Sequence, residues 1–158
     1  MATTSIWRVN GWLGKVLIYI ENPDKTENPD FFEKRHLYPK PCEQTRQGTV
    51  CEEWIYYGTP KFSGKRLILH PGEKFFSKEA GVHNIFVWHG TGLVNGKRVT
   101  GAKCDLHSCE DELLVVCKKA QEGYWIENDG DTDLYLYKYF GRDIYTDMDT
   151  PAMGHSAD

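Results

Sequence analysis

The sequence lacks several features that mark particular classes of protein. Its 158 residues contain no apolar run approaching the roughly 20 residues that cross a membrane, so we expect no membrane-spanning segment. Lys and Arg number 19 against 23 Asp and Glu, a formal net charge of −4, which argues against a dedicated nucleic-acid binder. Hydrophobic residues make up 40% of the chain, too many for a disordered protein. One compact domain is therefore predicted.

Cysteine usage and the N-terminus both favour a reducing compartment. The five cysteines form an odd set without a C-x-x-C pair, so no disulfide framework is expected. Cys104, His107 and Cys109 lie close together, but the sequence shows no second pair of ligands to complete a structural zinc site. Residues 1–8 lack a basic region followed by a long apolar core, unlike a signal peptide. We expect a cytoplasmic protein.

Generic catalytic motifs are absent as well. The chain has no G-x-S-x-G, no H-E-x-x-H, no phosphate loop and no G-x-G-x-x-G. Lys61, Lys65 and Arg66 form a small basic cluster, predicted to lie on a solvated sheet edge. Aromatic residues, in contrast, are abundant, with 5 Trp, 9 Tyr and 7 Phe. They must fill a core, line a pocket or cover a partner.

Alternating apolar residues dominate the chain, and long helical periodicity is missing. The predicted strands are Trp12–Ile20, Val50–Tyr57, Lys65–His70, Lys74–Ser77, Asn84–Gly90, Leu93–Val99, Leu113–Cys117, Tyr124–Glu127 and Leu134–Phe140. Asn95-Gly96 predicts a tight hairpin turn, and a short helix is predicted near Phe31–His36. Many short strands separated by turns are typical of an all-β sandwich or barrel.

The order of features from His70 to Gly141 resembles the cupin family. The His70-Pro71-Gly72-Glu73 turn and the later glycine-rich hairpin resemble its first motif, and the Asn128-Asp129-Gly130-Asp131 turn before the last strand resembles its second. The resemblance implies a cupin-like jelly-roll β-barrel over residues 61–142. Residues 1–60 would add N-terminal strands to the barrel or to a partner, and residues 143–158 would form an acidic tail. Cupins often pair through such strands, so a homodimer is also implied.

The metal ligands that the resemblance implies do not carry over. Metal-binding cupins place two histidines one residue apart after the proline–glycine turn, where this chain reads Ser77-Lys78-Glu79-Ala80. Asn84 stands where the resemblance implies a glutamate, and Tyr124, four residues before an asparagine, where it implies a histidine. We therefore favour the prediction that the protein binds no cofactor. The alternative is a divalent iron, manganese or zinc ion held by His83 and Glu79.

Glu122 and Tyr124 are the candidate catalytic residues. In an extended chain their side chains share a face, which the resemblance places at the barrel mouth. Burial near Trp88 and Phe86 would raise the pKa of Glu122 and suit general acid/base chemistry. The alternatives are a solvated glutamate in a turn and a tyrosine that fills the core.

Two functions of different classes remain open. The first is binding of a small polar molecule, of sugar or carboxylate type, in an aromatic-lined barrel pocket that includes Trp88, Phe86, His70 and Tyr137. The second is a cupin enzyme, such as an isomerase, epimerase, lyase or oxygenase, with a non-standard His/Glu site. Tyr137 also belongs to a row of three tyrosines on the last strand, which would line such a pocket or form a dimer surface.

Overall fold

The computed structural model describes residues 37–102, 109–146 and 148–152, which form short strands and little helix. The strands are β1 (Lys40–Pro41), β2 (Glu53–Tyr56), β3 (Ser63–Leu69), β4 (Lys74–Ser77), β5 (His83–His89), β6 (Thr91–Val94), β7 (Lys97–Thr100), β8 (Glu112–Val115), β9 (Tyr124–Glu127) and β10 (Leu134–Phe140). A 3-10 turn spans Glu43–Thr45, and helix α1 spans Cys117–Glu122. None of the helices among the described residues has the length and hydrophobicity needed to span a membrane.

The strands form two antiparallel sheets. The first has the order β1-β2-β3-β10-β5-β8, and the second has the order β4-β9-β6-β7. Inward side chains of both sheets form one apolar core, which includes Leu67, Leu136, Val87, Phe75 and Ile126. The prediction of an all-β fold with a jelly-roll arrangement of two sheets is confirmed.

Strand bounds agree with the sequence where alternation is strong. Lys74–Ser77, Tyr124–Glu127 and Leu134–Phe140 are strands with the predicted limits. The stretch predicted as Leu93–Val99 is a hairpin, because Asn95 (φ 49°) and Gly96 (φ 78°) both adopt the left-handed conformation that a two-residue turn requires. The predicted turn is thus confirmed.

Other bounds differ from the prediction. Lys65–His70 is observed as β3, Asn84–Gly90 as β5 and Val50–Tyr57 as the shorter β2. The strand predicted at Leu113–Cys117 ends at Val115, because α1 begins at Cys117. The predicted strand Trp12–Ile20 and the predicted helix Phe31–His36 lie outside the described residues.

Strand pairing places four polar positions opposite one another inside the barrel. β10 lies between β3 and β5, and its register pairs Lys138 with Lys65. In the other sheet, β4 pairs with β9 so that Ser77 lies beside Tyr124. All four residues are buried, so the two sheets meet at a polar centre.

The segment after β10 folds back onto the barrel. The Tyr145 ring packs edge-on against Phe140 and Trp54, with ring centroids 4.8 and 5.1 Å apart. Further on, the Thr150 hydroxyl accepts a hydrogen bond of 3.2 Å from the backbone N–H of Gly58. The start of the predicted acidic tail therefore contributes side chains to the barrel.

Candidate functional site

Two lysines and two glutamates form a cluster inside the barrel, here called the buried charge cluster (Lys65, Lys138, Glu52 and Glu79). The Lys138 ammonium donates hydrogen bonds to Glu52, to Glu79 Oε1 at 2.7 Å and to Ser77 Oγ at 2.5 Å. The Lys65 ammonium donates to Glu79 Oε2 at 2.7 Å and lies 3.6 Å from Glu52 Oε2. All four side chains are at most 3% exposed, so removing them from water requires this mutual neutralisation.

Aromatic rings and the Tyr145 hydroxyl complete the surroundings of Lys65 and Glu79. The Lys65 ammonium lies 4.8 Å from the ring centroids of Trp54 and of Tyr145, within the range of a cation–π interaction. The Tyr145 hydroxyl donates a 2.6 Å hydrogen bond to Glu79 Oε2. Both oxygens of this carboxylate are therefore engaged by donors.

The charge cluster shifts the pKa values of its members. Burial alone would raise the pKa of Glu79, but Lys138 and Lys65 outweigh it and lower the value to about 2. Burial would likewise lower the pKa of Lys138 and of Lys65, and the two carboxylates reverse that effect and raise both. All three groups are charged at neutral pH.

A second polar chain runs from Tyr124 through His83 to the backbone of Gly81. The Tyr124 hydroxyl lies 2.6 Å from His83 Nε2, and His83 Nδ1 lies 2.9 Å from the Gly81 carbonyl oxygen. Since a carbonyl only accepts, Nδ1 carries the imidazole proton and Nε2 accepts the tyrosine proton. Burial lowers the pKa of His83 and raises that of Tyr124, so both are neutral near pH 7.

The interior does not fit a metal ion. Glu79 is held by two ammonium groups and a phenol, and both His83 nitrogens already have partners. Across the described ranges, no three His, Cys, Asp or Glu side chains are grouped so as to hold a metal. The alternative of a metal on His83 and Glu79 therefore finds no support in the geometry.

The inward position near the start of β5 belongs to His83 and not to Asn84. His83 is 2% exposed, whereas the Asn84 side chain donates a 2.5 Å hydrogen bond to Glu112 on the outer face. The alignment that set Asn84 at an interior ligand position is wrong by one residue, and in a strand one residue changes the face.

Glu122 and Tyr124 do not share a face. Glu122 ends α1, is exposed and lies 3.8 Å from Lys118, whereas Tyr124 is buried at the start of β9. The expectation of a common face is wrong because the chain is helical up to Glu122 and not extended. Glu122 therefore lies outside the barrel interior, and Tyr124 lies inside it.

Three of the four predicted ligand-binding residues lie on the outer face of the first sheet. Trp88 is 59% exposed, with its ring centroid 6.2 Å from that of Phe86 and 6.5 Å from that of Tyr137. With Tyr135 and Tyr139 they form what is here called the outer aromatic face. The expectation that these rings line a barrel pocket is wrong, because the alternate residues of β5 and β10 point inward.

His70, the fourth residue, borders a separate polar cavity of about 300 Å³. Its Nδ1 lies 2.8 Å from Asp133 Oδ1, and this hydrogen bond raises the pKa of His70. Glu73 and Arg46 also line this cavity. It lies on the other side of β3 from the charge cluster, as the alternating burial of β3 shows.

A further cavity, here called the edge cavity, lies between edge strand β8 of the first sheet and the β6–β7 hairpin of the second. Its volume is about 220 Å³. The lining residues are Val94, Asn95, Lys97, Leu113, Leu114, Val115, Val116, Lys119 and Tyr124. Tyr124 is thus the residue that connects this cavity to the polar chain inside the barrel.

Several residues of the interior were not predicted from the sequence. Lys65 was expected on a solvated edge, and it is 2% exposed. A signal was available for Lys138, which alternates with Leu136 and Phe140 and so falls on the apolar face of β10. For Glu52 and Tyr145, which precede and follow the main strands, the sequence holds no comparable signal.

Comparisons with known proteins concern the fold. No family model matches the chain, and no curated protein matches it. Among solved structures, similar chains include a double-stranded β-helix protein of Klebsiella pneumoniae (12% identity, 71% of this chain and 89% of that one, TM-score 0.47). Others are a Cupin_2 domain of an XRE family regulator from Enterobacter cloacae (12%, 58% and 95%, 0.46) and a predicted oxalate decarboxylase from Thermotoga maritima (21%, 68% and 96%, 0.43). At these identities and TM-scores the similarity says nothing about ligand or activity.

Proposed function

We propose that this cupin-like protein binds a small molecule in the edge cavity, without a metal ion in the barrel interior. The observation that carries the proposal is the position of Tyr124, which lines an otherwise largely aliphatic cavity and is fixed from behind by His83. Small-molecule sites are typically concave and apolar, with a few positioned polar groups. The edge cavity is a small site of this kind, with mainly apolar walls and a few polar side chains.

The barrel interior itself is a poor binding site. Its two ammonium groups and two carboxylates balance one another and are held by short hydrogen bonds. A polar ligand entering this centre would have to break charged interactions that are shielded from water. The charge cluster is therefore assigned a structural role, in which it supports β4 and β9 and so positions Tyr124.

A screen of small acids, sugars and amino acids by methyl-resolved NMR tests the proposal. Binders are expected to shift the methyl signals of Val94, Leu113 and Val115. Val116→Trp should abolish these shifts because the new side chain fills the cavity, and Val82→Trp serves as the matched control, since Val82 is also an exposed valine but does not line the cavity. Binders that shift only signals elsewhere would overturn the proposal.

A second candidate function is acid/base catalysis by Tyr124. It is favoured by the 2.6 Å bond to His83, whose Nε2 is the acceptor for the phenolic proton. In this role Tyr124 exchanges a proton with a molecule in the edge cavity while His83 holds or returns it. Turnover of a bound molecule that is lost in Tyr124→Phe while binding is retained would establish this candidate, and unchanged turnover would exclude it.

We further propose that a second copy of the chain covers the outer aromatic face. Exposed aromatic surfaces of this kind usually mark an interface, and aromatic residues are enriched at interface centres. Trp88 at 59% and Tyr139 at 38% exposed, with their neighbouring rings, supply such a surface on a regular sheet.

A further inference from the structure

We infer that the edge cavity takes a small monocarboxylic acid with a branched or cyclic hydrocarbon tail. The inference rests on the proposed function and specifies the ligand class of the same site. Two properties of the cavity support this ligand class. Its walls are mainly aliphatic, and two lysines are among the residues that line it.

The walls select a hydrocarbon tail. Val94, Leu113 and Val115 line the cavity from the two facing sheets, and Leu114 and Val116 extend the apolar surface toward solvent. A sugar, with a hydroxyl on almost every carbon, would leave those hydroxyls without partners against this surface, at a cost for each one. The volume of about 220 Å³ corresponds to about seven water-sized groups at ~30 Å³ each, which suits a tail of a few carbons.

The lysines select the head group. Lys97 belongs to the β6–β7 hairpin and Lys119 to α1, so the two lysines line the cavity from different elements. In the part of the chain that the structure describes, no ion pair engages either lysine, whereas the adjacent Lys118 lies 3.8 Å from Glu122. Among the described residues that line the cavity, none carries a carboxylate. A carboxylate in the cavity would thus lie near two lysines that have no ion pair with any described residue, and a charged hydrogen bond to either of them would favour its binding.

The polar cavity near His70 provides a contrast within the same chain. It is lined by Glu53 and Glu73 as well as Arg46, and Glu53 is itself paired with Arg66 at 2.5 Å. Its charges are mixed and mutually neutralised. An anion with an apolar tail therefore fits the edge cavity and not the polar cavity.

Calorimetric titration of the 158-residue chain with isovalerate tests the inference. Isovaleramide, which keeps the tail and loses the charge, and acetate, which keeps the charge and loses the tail, should each bind at least about tenfold more weakly. Lys97→Gln and Lys119→Gln should each weaken isovalerate binding by about threefold or more. Lys118→Gln is the matched control on the same helix and should bind as the unmodified protein does.

Two results would overturn the inference. One is equal affinity for isovalerate and isovaleramide, and the other is unchanged isovalerate affinity in both lysine variants. Neither result removes the proposed function if neutral molecules still shift the methyl signals of Leu113 and Val115. Failure of every small molecule to shift those signals would remove both.

Discussion

The hydroxyl of Tyr124 donates its proton to Nε2 of His83 across 2.6 Å, and this bond connects a ligand-sized cavity to the barrel interior. His83 is held in one tautomer by the Gly81 carbonyl, so the phenol has a defined orientation. Ser77 is the strand partner of Tyr124 between β4 and β9, and its hydroxyl accepts a hydrogen bond from Lys138. The position of one wall of the edge cavity is thereby coupled to the buried charge cluster.

The two histidines with shifted pKa values should titrate on opposite sides of the ordinary value of about 6.5. Burial lowers the pKa of His83, and the hydrogen bond to Asp133 raises that of His70. Folding lowers the pKa of His83, so the folded state favours the neutral ring. Its contribution to the free energy of unfolding is therefore complete above about pH 6.5 and decreases as the pH falls. Imidazole signals followed by NMR from pH 8 to 5 measure both values. Identical titration of the two rings would contradict the described environments.

Removal of one cation from the buried charge cluster should be strongly destabilising. Lys138→Met leaves the buried Glu52 and Glu79 carboxylates with one ammonium between them, that of Lys65. The expected loss of unfolding free energy is about 3–5 kcal/mol, the usual cost of an uncompensated buried charge. Urea denaturation followed by tryptophan fluorescence measures it.

Lys74→Met provides the control for this variant. Lys74 pairs with Glu127 at 2.5 Å, but its side chain is 61% exposed, so its removal should cost less than about 1 kcal/mol. Equal losses in the two variants would show that the Lys138 cluster is not shielded from water as described. The double variant Lys138→Met with Glu79→Gln should lose less than the sum of its single changes, because the two groups interact directly.

Acid should destabilise the protein through Glu79. Its pKa in the folded state is about 2, below the ordinary value of about 4.3. The ionised Glu79 therefore makes its full contribution to the free energy of unfolding above its pKa in the unfolded state. That contribution is lost as the pH falls toward 2. Unfolding free energies of Glu79→Gln measured between about pH 4.5 and 2.5 should show a weaker pH dependence than those of the unmodified protein. Glu122→Gln, at an exposed glutamate, should not change that dependence.

The outer aromatic face should govern self-association. Tyr137→Arg places a charge among the rings of Trp88, Tyr135 and Tyr139 and is expected to convert a dimer to a monomer. Light scattering coupled to size-exclusion chromatography measures the mass. Trp125→Arg, at a 49% exposed aromatic residue of the other sheet, should leave the dimer intact. A monomeric unmodified protein would rule out this interface.

Much of the fold could be predicted from local sequence signals. Alternation determined β4, β9 and β10, and Asn95-Gly96 determined the hairpin, because two-residue turns need residues that tolerate positive φ. The cupin resemblance and the spacing from Asn128 predict Tyr124 as a site residue, and the structure places it in the barrel interior. These features depend on a few neighbouring residues, so one sequence suffices for them.

The interior of the site could not be predicted in the same way. A one-residue error in the alignment placed Asn84 where His83 lies. Because successive residues of a strand point to opposite faces, this error exchanges an inward side chain for an outward one. Lys65 and Lys138 were unexpected inside because lysines are rarely buried without partners, and their partners come from distant segments. The short helix at Cys117–Glu122 has no long apolar periodicity to indicate it, so Glu122 was placed on the wrong surface.

We expect a small molecule to bind in the edge cavity beside Tyr124, while the buried charge cluster remains closed and free of metal. Crystals of the protein soaked with isovalerate, with anomalous data collected for iron, manganese and zinc, test it most directly. Ligand density is expected between β8 and the β6–β7 hairpin, with Lys65 and Lys138 still hydrogen-bonded to Glu79. Ligand density inside the charge cluster, or an anomalous peak bonded to His83 or Glu79, would contradict it.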